Sequence, residues 1–168
     1  MKEGQPTNIQ RNEYTVPSHL IETTDLSVDI NEDVTQVKSV LKMIKNPAAD
    51  ASDGSRDLIL DGGKDLETLS IRVDGRELSS NEYTITDEKL SLFDLPESFE
   101  LETQVAIKPQ DNTALEGLYK SGGMFCTQCE AEGFRHITWY LDRPDVLSKF
   151  RTTVKANKKD YPILLSNG

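Results

Sequence analysis

The sequence predicts a mostly β chain, an antiparallel β-sandwich or open barrel with one or two short helices. Three observations carry that expectation. Apolar and polar residues alternate in several short runs, as in strands with one buried face. Turn chemistry separates these runs at intervals of about 8–12 residues, the rhythm of sandwiches and barrels. The chain has 168 residues, and a domain takes roughly 100–200, so one core is the default and it needs no staples.

Residues 1–13 are polar and are expected to be a flexible N-terminus, leaving 14–168 as the domain. Leu26, Val28 and Ile30 alternate with Ser27 and Asp29, which predicts a strand, and Asn31-Glu32-Asp33 predicts a turn. Val34 to Lys45 is rich in β-branched residues, but Val37, Val40, Leu41, Met43 and Ile44 have mixed spacing, so strand and helix both stay open. Asn46-Pro47 ends that element, because the residue before a proline is pushed out of the α region. Ala48 to Arg56 reads as a loop of small residues. Leu58-Ile59-Leu60 reads as a short strand closed by Asp61-Gly62-Gly63. Leu69, Ile71 and Val73 run into Asp74-Gly75, a hairpin signal because both residues tolerate positive φ. Tyr83 with Ile85, and Leu90 with Leu92, predict two more strands before Leu95-Pro96. Phe99, Leu101, Thr103, Val105 and Ile107 make the longest alternation, ended by Pro109.

Beyond that point the pattern weakens. Thr113 to Gly123 carries three glycines and reads as a loop, and Met124 to Thr127 as a short strand. Glu130 to His136 has helical composition for one or two turns. Asp142-Arg143-Pro144-Asp145 marks a turn, with Asp145 placed to cap a short helix through Leu147 and Phe150. Trp139 and Tyr140 are read as core or interface residues, and Arg135 as the partner of Asp142 or Glu132. Thr152 to Ala156 and Tyr161 to Leu165 read as a hairpin around Asn157-Lys158-Lys159-Asp160. Asn167-Gly168 is a further hairpin signal with no return strand, which reads either as a natural sequence that continues or as a frayed polar tail. An unpaired edge near Tyr161 to Leu165 is then expected to give self-association or disorder there.

Composition bounds the partners. The net charge is -10, from 29 acidic and 19 basic residues. Such a chain repels phosphate backbones, so nucleic acid is not an expected partner, whereas cationic ligands are favoured. No run approaches the roughly 18 apolar residues of a membrane helix. The N-terminus has no apolar segment of a signal peptide, so a cytoplasmic location without a membrane partner is expected. Cys126 and Cys129, the two cysteines, form a C-x-x-C. With no second pair and no βαβ pattern, zinc-ribbon and redox uses are disfavoured against two small packing thiols. Gly122-Gly123 lacks the pattern of a phosphate loop.

The run Cys126-Thr127-Gln128-Cys129-Glu130-Ala131-Glu132-Gly133-Phe134-Arg135-His136-Ile137-Thr138-Trp139-Tyr140-Leu141-Asp142-Arg143-Pro144-Asp145-Val146 closely resembles the bacterial aminopeptidase N branch of the gluzincin aminopeptidases. Asn112 to Gly123 and Tyr161 to Gly168 share the likeness. The resemblance implies a saddle-like N-terminal β-sandwich domain, truncated here, of a peptide hydrolase about five times longer. It implies zinc in the full-length enzyme, held by a downstream catalytic domain with H-E-x-x-H and a distal glutamate. It implies that the N-terminal domain covers the active-site cleft and lends it Gln128 and Glu130. Glu130 would bind the free α-amine of a peptide substrate, and Gln128 would approach the first peptide group or side chain.

The chemistry suits those residue types. A chain end differs from a chain middle by one protonated amine, and a fixed carboxylate that pairs with it sets the register of the scissile bond. Gln128 lies two residues from Glu130, so in extended backbone both would face one side, and its amide offers a donor and an acceptor. Read without the resemblance, Glu130 is a solvated glutamate in a first helical turn. His19 and His136 are the chain's two histidines, and neither begins H-E-x-x-H, so no catalytic residue and no metal ligand is expected here. The competing reading is a free-standing β-sandwich binding module without catalysis.

Overall fold

The computed structural model describes residues 14–49 and 57–167. The expected flexible N-terminus, most of the Ala48–Arg56 loop, and Gly168 lie outside the described residues. Eleven strands are formed among the described residues: β1 His19–Ile30, β2 Thr35–Lys45, β3 Leu58–Asp61, β4 Glu67–Val73, β5 Arg76–Glu77, β6 Tyr83–Ile85, β7 Lys89–Leu92, β8 Ser98–Ile107, β9 Gly117–Ser121, β10 Met124–Gln128 and β11 Lys149–Ala156. They make a six-stranded sheet in the order β11-β1-β2-β8-β4-β5, a three-stranded sheet β3-β7-β6, and the hairpin β10-β9.

Alternation explains the central strands. Val37 lies opposite Val28 and Val105, Leu41 opposite Thr24 and Leu101, and Met43 opposite Ile21 and Phe99. This register places one side of each strand in the core, including Val37, Leu41, Met43, Leu101 and Val105, all essentially inaccessible. The segment from Val34 is therefore strand, and its mixed spacing reflects Val40 and Ile44, half-buried on the other face. A bulge between Ile21 and Thr23 adds one residue to β1. It lets Ile21 and Thr24, three apart, face the same core.

Leu58, Leu60, Leu90 and Leu92 of the small sheet join the same apolar cluster. Beside β3 runs Ile137–Leu141, five consecutive buried residues. Asp61 and Tyr140 exchange backbone hydrogen bonds of 2.7 and 3.0 Å. The Trp139 indole donates to Thr68 Oγ1 at 2.9 Å. Gly62 is required under that indole, since a Cβ there would lie 2.0 Å from a ring carbon. Trp139 and Tyr140 are thus core residues, as expected.

Four expectations change. The Thr113–Gly123 loop contains β9, a strand whose glycines hide it. The sandwich is antiparallel except that β11 runs parallel to β1, Leu26 opposite Thr152 and Val28 opposite Val154. The helix expected from Asp145 is absent; Phe150 instead lies in β11, half-exposed, with its ring centroid 6.0 Å from that of Tyr140. Tyr161–Leu165 forms no strand and is mostly exposed, so the expected hairpin and its edge are not there. The edge strands of the large sheet are β11, which presents Lys149, Arg151 and Lys155, and the two-residue β5. Of the helical composition at Glu130–His136, one 3-10 turn at Phe134–His136 materialises, and a second 3-10 turn spans Pro109–Asp111.

Candidate functional site

The β9–β10 hairpin leads into the predicted site. Its turn, Gly122-Gly123, has φ of 56° and 83°, values that favour glycine. Gln128 ends β10 opposite Gly117. The chain then leaves extended geometry, and Glu130 opens a turn. The expectation that strand alternation aligns Gln128 and Glu130 therefore does not hold. What couples them is local: the Gln128 amide donates to the Glu130 carbonyl at 3.3 Å. Both side chains are exposed, and the peptide bond after Glu130 is cis.

Close backbone packing holds this turn from beneath. Gly133 N–H donates to the Cys129 carbonyl at 2.9 Å. A Cβ on Gly133 would lie 2.3 Å from the Gln128 carbonyl oxygen and 2.8 Å from Cys129 Cα. Gly117, at φ 75°, packs on the other side, where a Cβ would sit 2.8 Å from His136 Cβ. The Asn112 side chain donates to the carbonyls of Glu116 and Leu118 at 2.7 and 2.9 Å, fixing the start of β9.

A charged cluster completes the support. Arg135 donates from its backbone N–H and its Nε to Asp142 Oδ2 at 3.1 and 3.0 Å, and from a terminal nitrogen to the Asp142 carbonyl at 3.0 Å. Its guanidinium also lies 3.6 Å from Glu132 and 4.0 Å from Asp61. Both expected partners of Arg135 are present. Burial pulls this guanidinium down, but the Asp142 hydrogen bond and the surrounding carboxylates hold it above its ordinary value. Asp61 was read only as a turn residue. It accepts from Lys89 at 2.5 Å and from the Asp142 backbone at 3.1 Å. A separation of 81 residues from Asp142 leaves no sequence signal for that contact.

Cys126 and Cys129 are free thiols, each half-buried. Burial pushes the Cys129 thiol up, and the charges of Asp142 and Glu130 add to the effect. A thiol held protonated is a poor nucleophile and a poor metal ligand, which fits a packing role. Among the described residues no three His, Cys, Asp or Glu side chains are grouped to hold a metal ion. Among the same residues no helix is long and apolar enough to cross a membrane.

Comparison with known proteins places these features. The model of the Peptidase M1 N-terminal domain matches residues 24–168. The chain is 41% identical to aminopeptidase N of Caulobacter vibrioides over 168 residues, covering 100% of this chain and 19% of the relative. It is 42% identical to aminopeptidase N of Escherichia coli over 164 residues, covering 98% and 18%. Among solved structures it resembles Legionella pneumophila aminopeptidase A in complex with aspartic acid, with TM-score 0.84, 32% identity, and coverage of 94% of this chain and 18% of that one. The chain therefore spans about a fifth of the length of these relatives.

Proposed function

Because the chain belongs to the Peptidase M1 N-terminal domain family, we propose that in its full-length protein it covers the active-site cleft of a zinc aminopeptidase and holds the substrate's α-ammonium with Glu130. The observation that carries this reading is an exposed carboxylate on a rigidly supported turn. Gly133 fits against the backbone below it, and Arg135 ties the following residues to Asp142. A supported carboxylate suits registration, because it holds one distance to a reacting bond without reorganising. Gln128, whose amide already touches the Glu130 carbonyl, is the second contact, toward the first peptide group.

The zinc, its ligands and the general base belong to sequence outside this chain in this reading, and no step of catalysis is assigned to residues 14–167. The partners are peptides with a free N-terminus and the protein's own catalytic domain, in the cytoplasm. Self-association through a sheet edge is weak in this reading. The longer edge is β11, and its lysines and arginine would meet like charges on a second copy.

In the full-length protein, Glu130→Ala should lower kcat/KM for aminoacyl arylamides by roughly 2–5 kcal/mol, the cost of orphaning one partner of a desolvated charge pair. Gln128→Ala should cost less. The 168-residue chain by itself should hydrolyse none of these substrates, with or without added zinc. Unchanged kinetics in Glu130→Ala would remove the assigned role and leave the family intact.

A further inference from the structure

We propose that Glu32, Lys120 and Tyr161 form a clasp that sets the position of the β9–β10 hairpin, making Lys120 a positioning residue for the Gln128–Glu130 turn. The proposal rests on the amine-binding reading above.

Three segments distant in the chain meet here. Glu32 sits in the turn between β1 and β2, Lys120 on β9, and Tyr161 beyond β11. Lys120 Nζ donates to one Glu32 carboxylate oxygen at 2.5 Å, and the Tyr161 hydroxyl donates to the other. The same ammonium lies 5.1 Å from the centre of the Phe125 ring and 5.8 Å from that of Tyr161. Those rings meet edge to face at 5.2 Å. Phe125 is the cross-strand partner of Lys120, so the cluster grips both strands of the hairpin.

The clasp is anchored at its other end. The Gln110 side chain donates to the Asp33 carbonyl at 2.7 Å, binding the Glu32 turn to the 3-10 segment that precedes β9. The hairpin's near end is gripped by Asn112 and by Gly117 against His136. At its far end a Cβ on Gly122 or Gly123 would meet nothing within 4 Å. Between those ends the clasp supplies the lateral restraint, three rungs from Gln128. A hairpin free to tilt there would carry its last residue, Gln128, and the turn after it. Glu32 is held below the ordinary carboxylate value, first by the Lys120 hydrogen bond and then by that of Tyr161, so the clasp stays ionised near neutral pH.

Exposed ion pairs contribute little to stability. The clasp should therefore act on geometry and leave folding nearly unchanged, which separates it from a structural contact. The test uses the full-length protein. Lys120→Met should raise KM for an aminoacyl arylamide about fivefold, the scale on which a surface pair acts, while kcat stays within about twofold. Lys120→Arg, which keeps the charge over both rings, should restore KM. In a Glu130→Ala background, Lys120→Met should add nothing. An unchanged KM for Lys120→Met, or an equal rise in the Glu130→Ala background, overturns the clasp while the amine reading stands on Glu130→Ala itself. If Glu130→Ala leaves kcat/KM unchanged, the amine reading falls, and a Lys120 effect that survives has some other route, which overturns this proposal too.

Discussion

Leu41, Leu60, Leu92 and Leu101 are sealed from solvent, whereas Gln128 and Glu130 are exposed, and the two regions are held by different forces. In the sheets, apolar side chains from β1, β2, β8, β3 and β7 share one cluster. Burying each such side chain contributes about 1.5–3 kcal/mol, so that region owes its stability to area removed from water. The hairpin and its turn contribute mainly Leu118 to the buried core. Their position comes from glycines that let backbones touch, from Asn112, and from the Arg135–Asp142 pair. The difference teaches that one part sets how stable the chain is and the other sets where a carboxylate stands. Substitutions should separate the two.

The largest effect is expected where the regions join. Trp139 is the biggest fully buried side chain, stacked on Gly62 and hydrogen-bonded to Thr68. Trp139→Ala should cost about 3–5 kcal/mol of unfolding free energy, from lost transfer energy and the cavity left behind. Denaturant unfolding of the 168-residue chain measures it. A loss below about 1 kcal/mol would mean that Ile137–Leu141 is not part of the core, and the comparison would collapse.

Gly133→Ala sharpens the contrast from the other side. The new methyl would press on the Gln128 carbonyl and on Cys129 Cα, which are backbone atoms that cannot swing away. The expected loss is about 1–3 kcal/mol of stability, the usual cost of overpacking. In the full-length protein it should also raise KM for aminoacyl arylamides, since Gln128 must shift. If stability falls while KM holds, the turn does not govern the site and only its packing role remains.

These two glycines, 62 and 133, also mark where the sequence stops being readable. Long alternations in β1, β2 and β8 were legible, because one buried face imposes a period of two. The Arg135 partners were legible because opposite charges sat within seven residues. β9 was not: Gly117 and the Gly122-Gly123 turn look like loop composition, and the need for glycine at 62, 117 and 133 comes from backbones and rings far away in sequence. β11 was half legible as Thr152–Ala156, but nothing in its residues names β1 as a parallel partner. Tyr161–Leu165 had strand composition and found no neighbour; its one anchored residue, Tyr161, is held by a ring and a carboxylate instead. The proposed site, Gln128 and Glu130, rests on resemblance alone, since an exposed glutamate in a turn has no periodic signature.

The smallest expected effect is a titration confined to the sandwich. His19 is 1% exposed, shares a hydrogen bond of 3.0 Å with Ser18, and meets the edge of the Phe99 ring at 5.8 Å. Burial holds its imidazole below the ordinary histidine value, and the charge of Lys45, its cross-strand neighbour, adds to that. The folded chain thus resists a proton that the unfolded chain accepts at about pH 6.5. Between those two values the unfolded state binds more protons, so stability is full above about pH 6.5 and declines as the pH falls below it. The chain should therefore unfold at lower denaturant concentration near pH 5.5 than near pH 7.5, and His19→Gln should flatten that slope. The contacts of His19 are with Ser18 and Phe99 and not with the Glu130 turn, so hydrogen exchange at Gly117–Gln128 should follow the same pH course in both proteins. A slope that survives in His19→Gln would assign the titration to other groups and leave the buried imidazole without a role in the pH response of the core.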